Sequence, residues 1–198
     1  SSTNQAWSAV SDGAEGDAVG IRRGYCPGMA TEGVLRRMLL DDVPAVMDVQ
    51  EPASVAGLSA VFPQDVHPFP REVLARRWRE EIADPALECF VIERAGAVAG
   101  FAALDGDEVK HFGVAVEAWG SGLAAAAHDE LLTRMVAAGV ERPWLRCYAA
   151  NPRGRAFGEK HGWVDTGERS RGPMPPHAEL LTYAYDPGSS GIRPSVSP

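Results

Sequence analysis

A glycine-rich turn at residues 119–124, Trp-Gly-Ser-Gly-Leu-Ala, has the composition of a site that holds an anionic cofactor by its backbone. It follows an apolar alternating stretch and leads into an alanine-rich segment with helical character. The first N–H groups of a helix have no partner within the helix, and the helix dipole adds positive potential there, so phosphate oxygens bind well. The turn therefore predicts a phosphate-binding corner formed by Trp119, Gly120, Ser121, Gly122, Leu123 and Ala124.

Two better-known phosphate motifs do not account for this turn. A dinucleotide fold requires G-x-G-x-x-G near the first strand and an acidic residue about 20 positions later, and a P-loop requires Gly-Lys-Ser/Thr. The chain has neither motif. Its glycine turn follows the fourth predicted strand, and no Lys-Ser or Lys-Thr comes after the glycines. Taken alone, the turn is also compatible with a strand-to-helix corner that serves packing only.

A second stretch, residues 151–163, reads Asn-Pro-Arg-Gly-Arg-Ala-Phe-Gly-Glu-Lys-His-Gly-Trp and predicts a short helix. Asn151 is a favourable N-cap, and Pro152 suits the first helical position. A capping role for Asn151 is chemically complete by itself, and a cofactor contact is compatible with it.

The elements that must position these stretches form a mixed α/β order. Pro44 follows Asp41 and Asp42, which are candidate N-caps for a helix that runs towards Leu58. Short turns at 95–96 and 105–107 predict an antiparallel meander. Strands are predicted at 34–40, 88–94, 97–104, 108–117, 144–149, 163–169 and 179–186, and further helices at 71–82, 120–139 and 151–161.

Together the two stretches resemble the GCN5-related N-acetyltransferase (GNAT) family, whose members move an acetyl group from acetyl-CoA to an amine. The family turn has the form Gln/Arg-x-x-Gly-x-Gly/Ala; Gly122 and Ala124 match it, and Trp119 stands in the Gln/Arg place. The second family segment reads N-x-x-A-x-x-F/L-Y-E-K-x-G-F. The residues in register with it are Asn151, Phe157, Glu159, Lys160, Gly162 and Trp163.

The resemblance implies one α/β domain of the α+β type at residues 33–186. It would have a mixed, mostly antiparallel central sheet of about seven strands with helices on both faces. Residues 1–32 and 187–198 are poor in large aliphatic side chains, and we expect a mobile extension and a flexible tail there.

The resemblance also implies how acetyl-CoA binds. Backbone groups of the strand end Val114-Ala115-Val116 pair with the pantetheine arm, and N–H groups from Gly120 to Ala124 hold the pyrophosphate. Asn151 contacts the pantetheine, and the helix that contains Phe157 flanks the cofactor. No metal is expected.

One difference from the family affects the proton donor. Seven residues after Asn151, where many members have a tyrosine that returns a proton to the departing thiolate, this chain has Gly158. Because a thiol has a pKa of about 8.5, a thiolate leaves well near neutral pH, and loss of the tyrosine need not abolish turnover. Tyr148, His161 or a water is the candidate substitute.

The acceptor ammonium, with a pKa of about 10.4, must lose a proton before it attacks, so a base is expected in the cleft. Glu108 is the first candidate, because it lies fourteen residues before Gly122, the place of the catalytic glutamate in the histone-acetylating branch of the family. An exposed strand-edge glutamate is the alternative. His111 is the second candidate, and it faces away from Glu108 unless a bulge intervenes, as it does in the family.

The resemblance therefore implies transfer of an acetyl group to a primary amine of a small molecule or peptide, by direct attack in a ternary complex. Residues 50–70 and 168–177 are expected to grip the acceptor. Gly158 motivates a different hypothesis, a non-catalytic acyl-CoA-binding or regulatory domain. An interaction module that uses the glycine corner structurally is a third.

Composition narrows the partners. A formal charge of -8 argues against sequence-independent nucleic-acid binding, and no stretch is apolar for long enough to predict a membrane span. Three separated cysteines, Cys26, Cys89 and Cys147, fit neither a disulfide framework nor a metal-ligand pair. Because the cysteines suggest a reducing compartment and no secretory signal is recognisable, we expect a cytoplasmic protein. We expect it to be a monomer or a homodimer.

Overall fold

The computed structural model describes residues 33–186 and Gly188. The expected extension at 1–32 and the tail from 187 onwards lie outside the described residues, apart from Gly188, and stay predictions. Cys26 also lies outside them, whereas Cys89 and Cys147 are buried free thiols.

The described residues form seven strands and four α-helices in the order β1-α1-α2-β2-β3-β4-α3-β5-α4-β6-β7. The bounds are β1 Leu35–Arg37, α1 Val43–Gly57, α2 Arg71–Ala83, β2 Leu87–Arg94, β3 Ala97–Asp105, β4 Glu108–Val114, α3 Leu123–Ala137, β5 Trp144–Tyr148, α4 Pro152–Lys160, β6 Trp163–Arg171 and β7 Glu179–Tyr185. Short 3-10 turns at Leu40–Asp42 and Val116–Ala118 precede α1 and α3.

One sheet, in the order β1-β2-β3-β4-β5-β7-β6, contains all seven strands. Every neighbouring pair is antiparallel except β4 and β5, which are parallel. Helices cover both faces: His111 of β4 contacts Arg77 of α2, and the next residue, Phe112, stacks on Phe157 of α4. The predicted mixed, mostly antiparallel sheet is confirmed.

Two strands are at least three residues shorter than the sequence predicts. The first ends at Arg37, because the Asp42 carboxylate accepts the Leu39 N–H at 2.7 Å and pairs with Arg36, which turns the chain into a 3-10 helix. The fourth ends at Val114, where the chain enters the next 3-10 turn.

The third helix begins later than predicted. Gly120 and Gly122 have φ values of 75° and 83°, in the left-handed region, so regular helix starts only at Leu123. None of the helices in the described part of the chain is both long and apolar enough to cross a membrane.

Candidate active site

An opening between β4 and β5 lies at the centre of the sheet. The two strands pair only at Glu108 with Trp144 and at Val109 with Leu145. Beyond these pairs β4 continues along β3 as far as Val114, and β5 continues along β7. No further ladder pair joins the two strands in the described residues, so beyond this point β4 and β5 do not form a ladder with each other, and such a strand edge can pair with an extended molecule.

A β-bulge in β4 accompanies this opening. Against β3, His111 is opposite Ala103 and Val109 is opposite Leu104, so Lys110 is the extra residue. A bulge bends its strand and changes which side chains share a face. Since Glu108 is opposite Asp105, two residues from Ala103, Glu108 and His111 lie on the same face. The bulge that Glu108 and His111 need in order to share a face is therefore present.

The glycine corner lies at the end of β4 and is open. A Cβ atom built on Gly122 would have no atom within 4 Å. Ser121 and Leu123 use their N–H groups locally, on the Ala118 carbonyl at 3.2 Å and the Ser121 hydroxyl at 3.3 Å. Within residues 33–186 no acceptor bonds the N–H groups of Gly120, Gly122 or Ala124. These three donors at a helix start are suited to phosphate oxygens.

A cation that sequence reasoning did not single out stands beside this corner. The Arg153 guanidinium carbon lies 3.9 Å from the centroid of the Trp119 ring, a cation–π contact. The Trp119 indole N–H also donates to the Val114 carbonyl at 3.3 Å. A cation in the first turn of α4 opposes the helix dipole, so an anion bound nearby would offset an unfavourable placement. The sequence signal that could have pointed to Arg153 was Trp119, an aromatic residue in place of the family's Gln/Arg.

Asn151 and Phe157 have evident structural roles. Asn151 is fully buried and accepts the Gly154 N–H at 3.0 Å, which confirms the N-cap. Phe157 is buried and stacks against Phe112 with ring centroids 6.0 Å apart. Cofactor contacts by these two side chains stay predictions.

Glu108, the first candidate base, lies where β4 and β5 are still paired. The residue is 6% exposed, and its carboxylate accepts from Arg146 Nη2 at 3.1 Å and Nε at 3.3 Å. It is therefore a buried carboxylate with a cationic partner, rather than the exposed strand-edge residue of the alternative interpretation.

His111, the second candidate, belongs to a buried charged cluster. Its Nε2 atom lies 2.7 Å from Arg77 Nη2 and 2.9 Å from Glu81 Oε2, and its ring meets the Trp78 ring edge-on at 5.0 Å. Lys110 approaches the same Glu81 carboxylate at 3.9 Å. Glu81 thus compensates cationic groups on α2 and β4, at the bulge.

The cluster makes the stability of the fold depend on pH in the acid range. Burial by itself would raise the pKa of the Glu81 carboxyl, but His111 and Arg77 outweigh it and lower the pKa to about 2. Because this is below the ordinary value of 4.5, the ionised carboxylate stabilises the fold above about pH 4.5, and the stabilisation is lost as the pH falls towards 2.

Glu81→Gln should therefore flatten the acid limb of the stability curve. Between about pH 5 and 2, the free energy of unfolding of the unaltered protein should fall on the order of 3 kcal/mol more than that of the variant. Urea titrations across this range measure the difference. The exposed neighbour Glu80→Gln is the control and should leave the slope unchanged. Parallel curves for Glu81→Gln and the unaltered protein would contradict the assignment.

Tyr148, a candidate proton donor, has a buried hydroxyl. The residue is 1% exposed, and its hydroxyl has no hydrogen-bond partner among the described residues. Burial raises its pKa to about 12, with the Arg77 charge opposing the shift. The hydroxyl therefore keeps its proton at neutral pH and can donate it.

His161, another possible donor, lies elsewhere. Its ring contacts Phe157 at 4.2 Å and His128 at 5.1 Å, on the face of the sheet opposite His111. His128, Asp129 and His161 hold possible metal-ligand atoms within 4.8 Å of one another. However, His128 already bonds Asp129 at 2.9 Å and the Trp163 indole at 2.9 Å, so both its ring nitrogens are engaged.

A cavity of about 320 Å³ lies between the segment that joins α1 to α2 and the loop that joins β6 to β7. These are the two segments expected to grip an acceptor. Its lining residues are Ser54, Leu58, Phe62, Gln64, Val66, His67, Pro68, Phe69, Pro70, Val73, Met174 and Pro175. Phe62 also meets the Tyr148 ring edge-on at 5.4 Å, which connects the cavity wall to that buried hydroxyl.

A family and several solved structures are similar to this chain. The sequence model described as Acetyltransferase (GNAT) family matches residues 55–163. The PaiA N-acetyltransferase from Thermoplasma acidophilum, solved in complex with coenzyme A, shares 12% identity over 76% of this chain and 98% of its own, with a TM-score of 0.58. No curated protein sequence matches the chain.

Two further structures have the same fold. A chimera of the spermidine N-acetyltransferase SpeG from Vibrio cholerae and hSSAT shares 15% identity over 76% of this chain and 93% of its own, with a TM-score of 0.57. The ribosomal-protein-alanine N-acetyltransferase from Brucella melitensis shares 20% identity over 76% of this chain and 97% of its own, with a TM-score of 0.56. At these identities the likeness concerns the fold.

Proposed function

Since the chain belongs to the acetyltransferase (GNAT) family, we propose that it transfers the acetyl group of acetyl-CoA to a primary amine of a small molecule or peptide. The observation that carries the proposal is the open glycine corner at the end of β4, beyond the point where the β4–β5 ladder ends. Backbone donors for a diphosphate and a strand edge for an extended arm thus adjoin one another, as this cosubstrate requires.

The residues proposed to hold acetyl-CoA follow from this arrangement. The N–H groups of Gly120, Gly122 and Ala124 bind the pyrophosphate, with Ser121 and Leu123 shaping the turn. The strand end Val114-Ala115-Val116 pairs with the pantetheine arm. Its Val114 carbonyl accepts the Trp119 indole, so Trp119 positions this strand end.

Arg153 is proposed to add a charge that Trp119 cannot supply. Arg153→Gln should weaken CoA binding about 5- to 30-fold, the effect of one charge-assisted hydrogen bond worth about 1–2 kcal/mol. Calorimetry with CoA and with dephospho-CoA measures the loss and tells whether the 3′-phosphate is its partner. The exposed Arg79→Gln on α2 is the control. Equal affinities for Arg153→Gln and Arg79→Gln would refute the role.

Acetyl-CoA supplies an electrophilic thioester carbon, to which the amine nitrogen bonds as the C–S bond breaks, in a direct attack within a ternary complex. Glu108 is proposed to take the amine proton, through a water. His111 is the alternative base, on the same face of β4. The proton that the departing sulfur requires is proposed to come from Tyr148, since its buried hydroxyl stays protonated and faces no protein acceptor among the described residues.

The acceptor is proposed to enter the cavity of about 320 Å³ between the α1–α2 segment and the β6–β7 loop. A larger concavity of about 760 Å³ on β5, β6 and β7 is lined by three arginines and one glutamate, Arg142, Arg146, Arg169 and Glu168. Because Arg146 and Arg169 are already paired with Glu108 and Asp165, the arginines alone do not decide whether this concavity admits a cationic amine. The smaller cavity is the one that borders Tyr148, through Phe62.

Two measurements test the function. Calorimetry with CoA should give a binding isotherm, and thiol release from acetyl-CoA should accelerate with at least one member of a panel of primary amines. Tight binding without turnover on any amine would favour a non-catalytic acyl-CoA-binding domain. No binding at millimolar CoA would leave the glycine corner a structural feature and overturn the proposal.

A further inference from the structure

The walls of the acceptor cavity are mainly apolar. Five of the lining residues are apolar and aromatic or branched: Leu58, Phe62, Val66, Phe69 and Val73. Three prolines and Met174 also line it. Such a wall gains free energy by covering hydrocarbon, at roughly 25 cal/mol per Å² of apolar surface removed from water.

Gln64, one of the polar residues of the lining, has its side-chain hydrogen bonds within the protein. Gln64 donates to the carbonyls of Phe62 at 2.9 Å and His67 at 3.3 Å, and it accepts the Phe69 N–H at 3.0 Å. Its amide therefore shapes the loop rather than binding a ligand. Ser54 and His67 are the other polar side chains of the lining.

Negative charge is missing from the part of the lining that the structure describes. None of the described lining residues carries a carboxylate. Nearby on α1, Asp48 and Glu51 both pair with Arg71 at the start of α2. A molecule with several ammonium groups would lose hydration here without gaining counter-charges, which is costly.

We propose that the acceptor is a small primary amine on an apolar body, an aromatic ring or a branched chain, rather than a polyamine. This inference rests on the proposed function and assigns its substrate class. The body fills the cavity between Phe62, Phe69 and Val73, and the amine is directed towards Tyr148. An apolar surrounding disfavours the ammonium form, so the same wall helps to present the neutral amine that attacks.

A substrate panel tests the inference. At saturating acetyl-CoA, kcat/KM for 2-phenylethylamine should exceed that for spermidine or ethanolamine by about 10-fold or more, the range that a matched hydrophobic group provides. Equal or faster turnover of spermidine or ethanolamine would overturn the substrate class while leaving the acetyltransferase proposal standing.

A charge at the cavity rim should reverse the preference. Val73 lines the cavity and is 47% exposed, so Val73→Glu should fold normally. The variant should lower kcat/KM for 2-phenylethylamine and raise it for spermidine, with an unchanged KM for acetyl-CoA. Val136→Glu, at a 65% exposed position on α3, is the matched control and should alter neither. An unchanged ratio in Val73→Glu would contradict the assignment of this cavity.

Failure of the proposed function gives a different result. If no amine accelerates thiol release, calorimetry of 2-phenylethylamine and spermidine with CoA-saturated protein still compares the two ligands. Binding of 2-phenylethylamine that weakens in Val73→Glu supports the cavity's preference in a non-catalytic protein. Absence of such binding overturns the inference.

Discussion

Gly122→Asp should weaken CoA binding by about 100-fold, whereas Gly122→Asn should weaken it far less. The two side chains have nearly the same shape, and both tolerate the left-handed conformation better than other non-glycine residues. They differ by one negative charge. At about 6 Å from a phosphate and an effective dielectric constant of about 20, that charge costs about 3 kcal/mol, or about 100-fold in Kd.

A second left-handed glycine provides the matched control. Gly139 follows α3 with φ 84°, and a Cβ atom there would also have no atom within 4 Å. Gly139→Asn and Gly139→Asp should therefore change thermal stability about as much as the Gly122 variants, without changing CoA affinity. Calorimetry and thermal melts on the four proteins measure both quantities. If Gly122→Asp and Gly122→Asn bind CoA equally well, the phosphate does not lie at this corner.

Glu108→Gln should reduce kcat at neutral pH about 100-fold, with the KM for acetyl-CoA changed by less than about twofold. A positioned base contributes about 100- to 10,000-fold to a proton-transfer step, and an amide cannot accept the proton. The expected signature is a fall in kcat together with loss of one ionisation from its pH profile. Initial rates of thiol release between about pH 6 and 10 measure it.

Controls separate this role from the ion pair that Glu108 makes with Arg146. Glu88→Gln removes a more exposed carboxylate that pairs with Arg37, and it should leave kcat unchanged. A thermal melt of Glu108→Gln reports the cost of the weakened Arg146 contact independently of the rate. If Glu108→Gln keeps its rate and His111→Gln does not, His111 is the base; if both keep it, neither is.

The local parts of the fold were predictable from sequence. The turns at 95–96 and 105–107, the Asn151 cap and the glycine corner depend on neighbours in the chain, and each lies where the sequence indicates. The boundaries that shifted did so for reasons a strand pattern does not contain. Asp42 takes up the Leu39 N–H and ends β1 early, and the left-handed Gly120 and Gly122 delay the start of α3.

The site was predictable only where a motif carries it. Arg153 meets Trp119 across thirty-four positions, and Arg146 meets Glu108 across thirty-eight, so neither contact leaves a trace in the local pattern. The Glu81 cluster likewise depends on a helix packing over a bulge. The apolar character of the cavity proposed for the acceptor follows from two loops that are distant in sequence coming together, and each loop alone has an irregular pattern.

In the described residues only two ladder pairs, at Glu108 and Val109, join β4 to β5, and the Arg146–Glu108 ion pair lies at the same end. The two halves of the sheet are therefore joined along a short stretch. On the proposed function, the pantetheine arm lies beside the end of β4 and pairs with it where the β4–β5 ladder has ended. The cosubstrate that carries the acetyl group would then also extend the contact between the two halves of the sheet, so these halves are held together best while acetyl-CoA is bound.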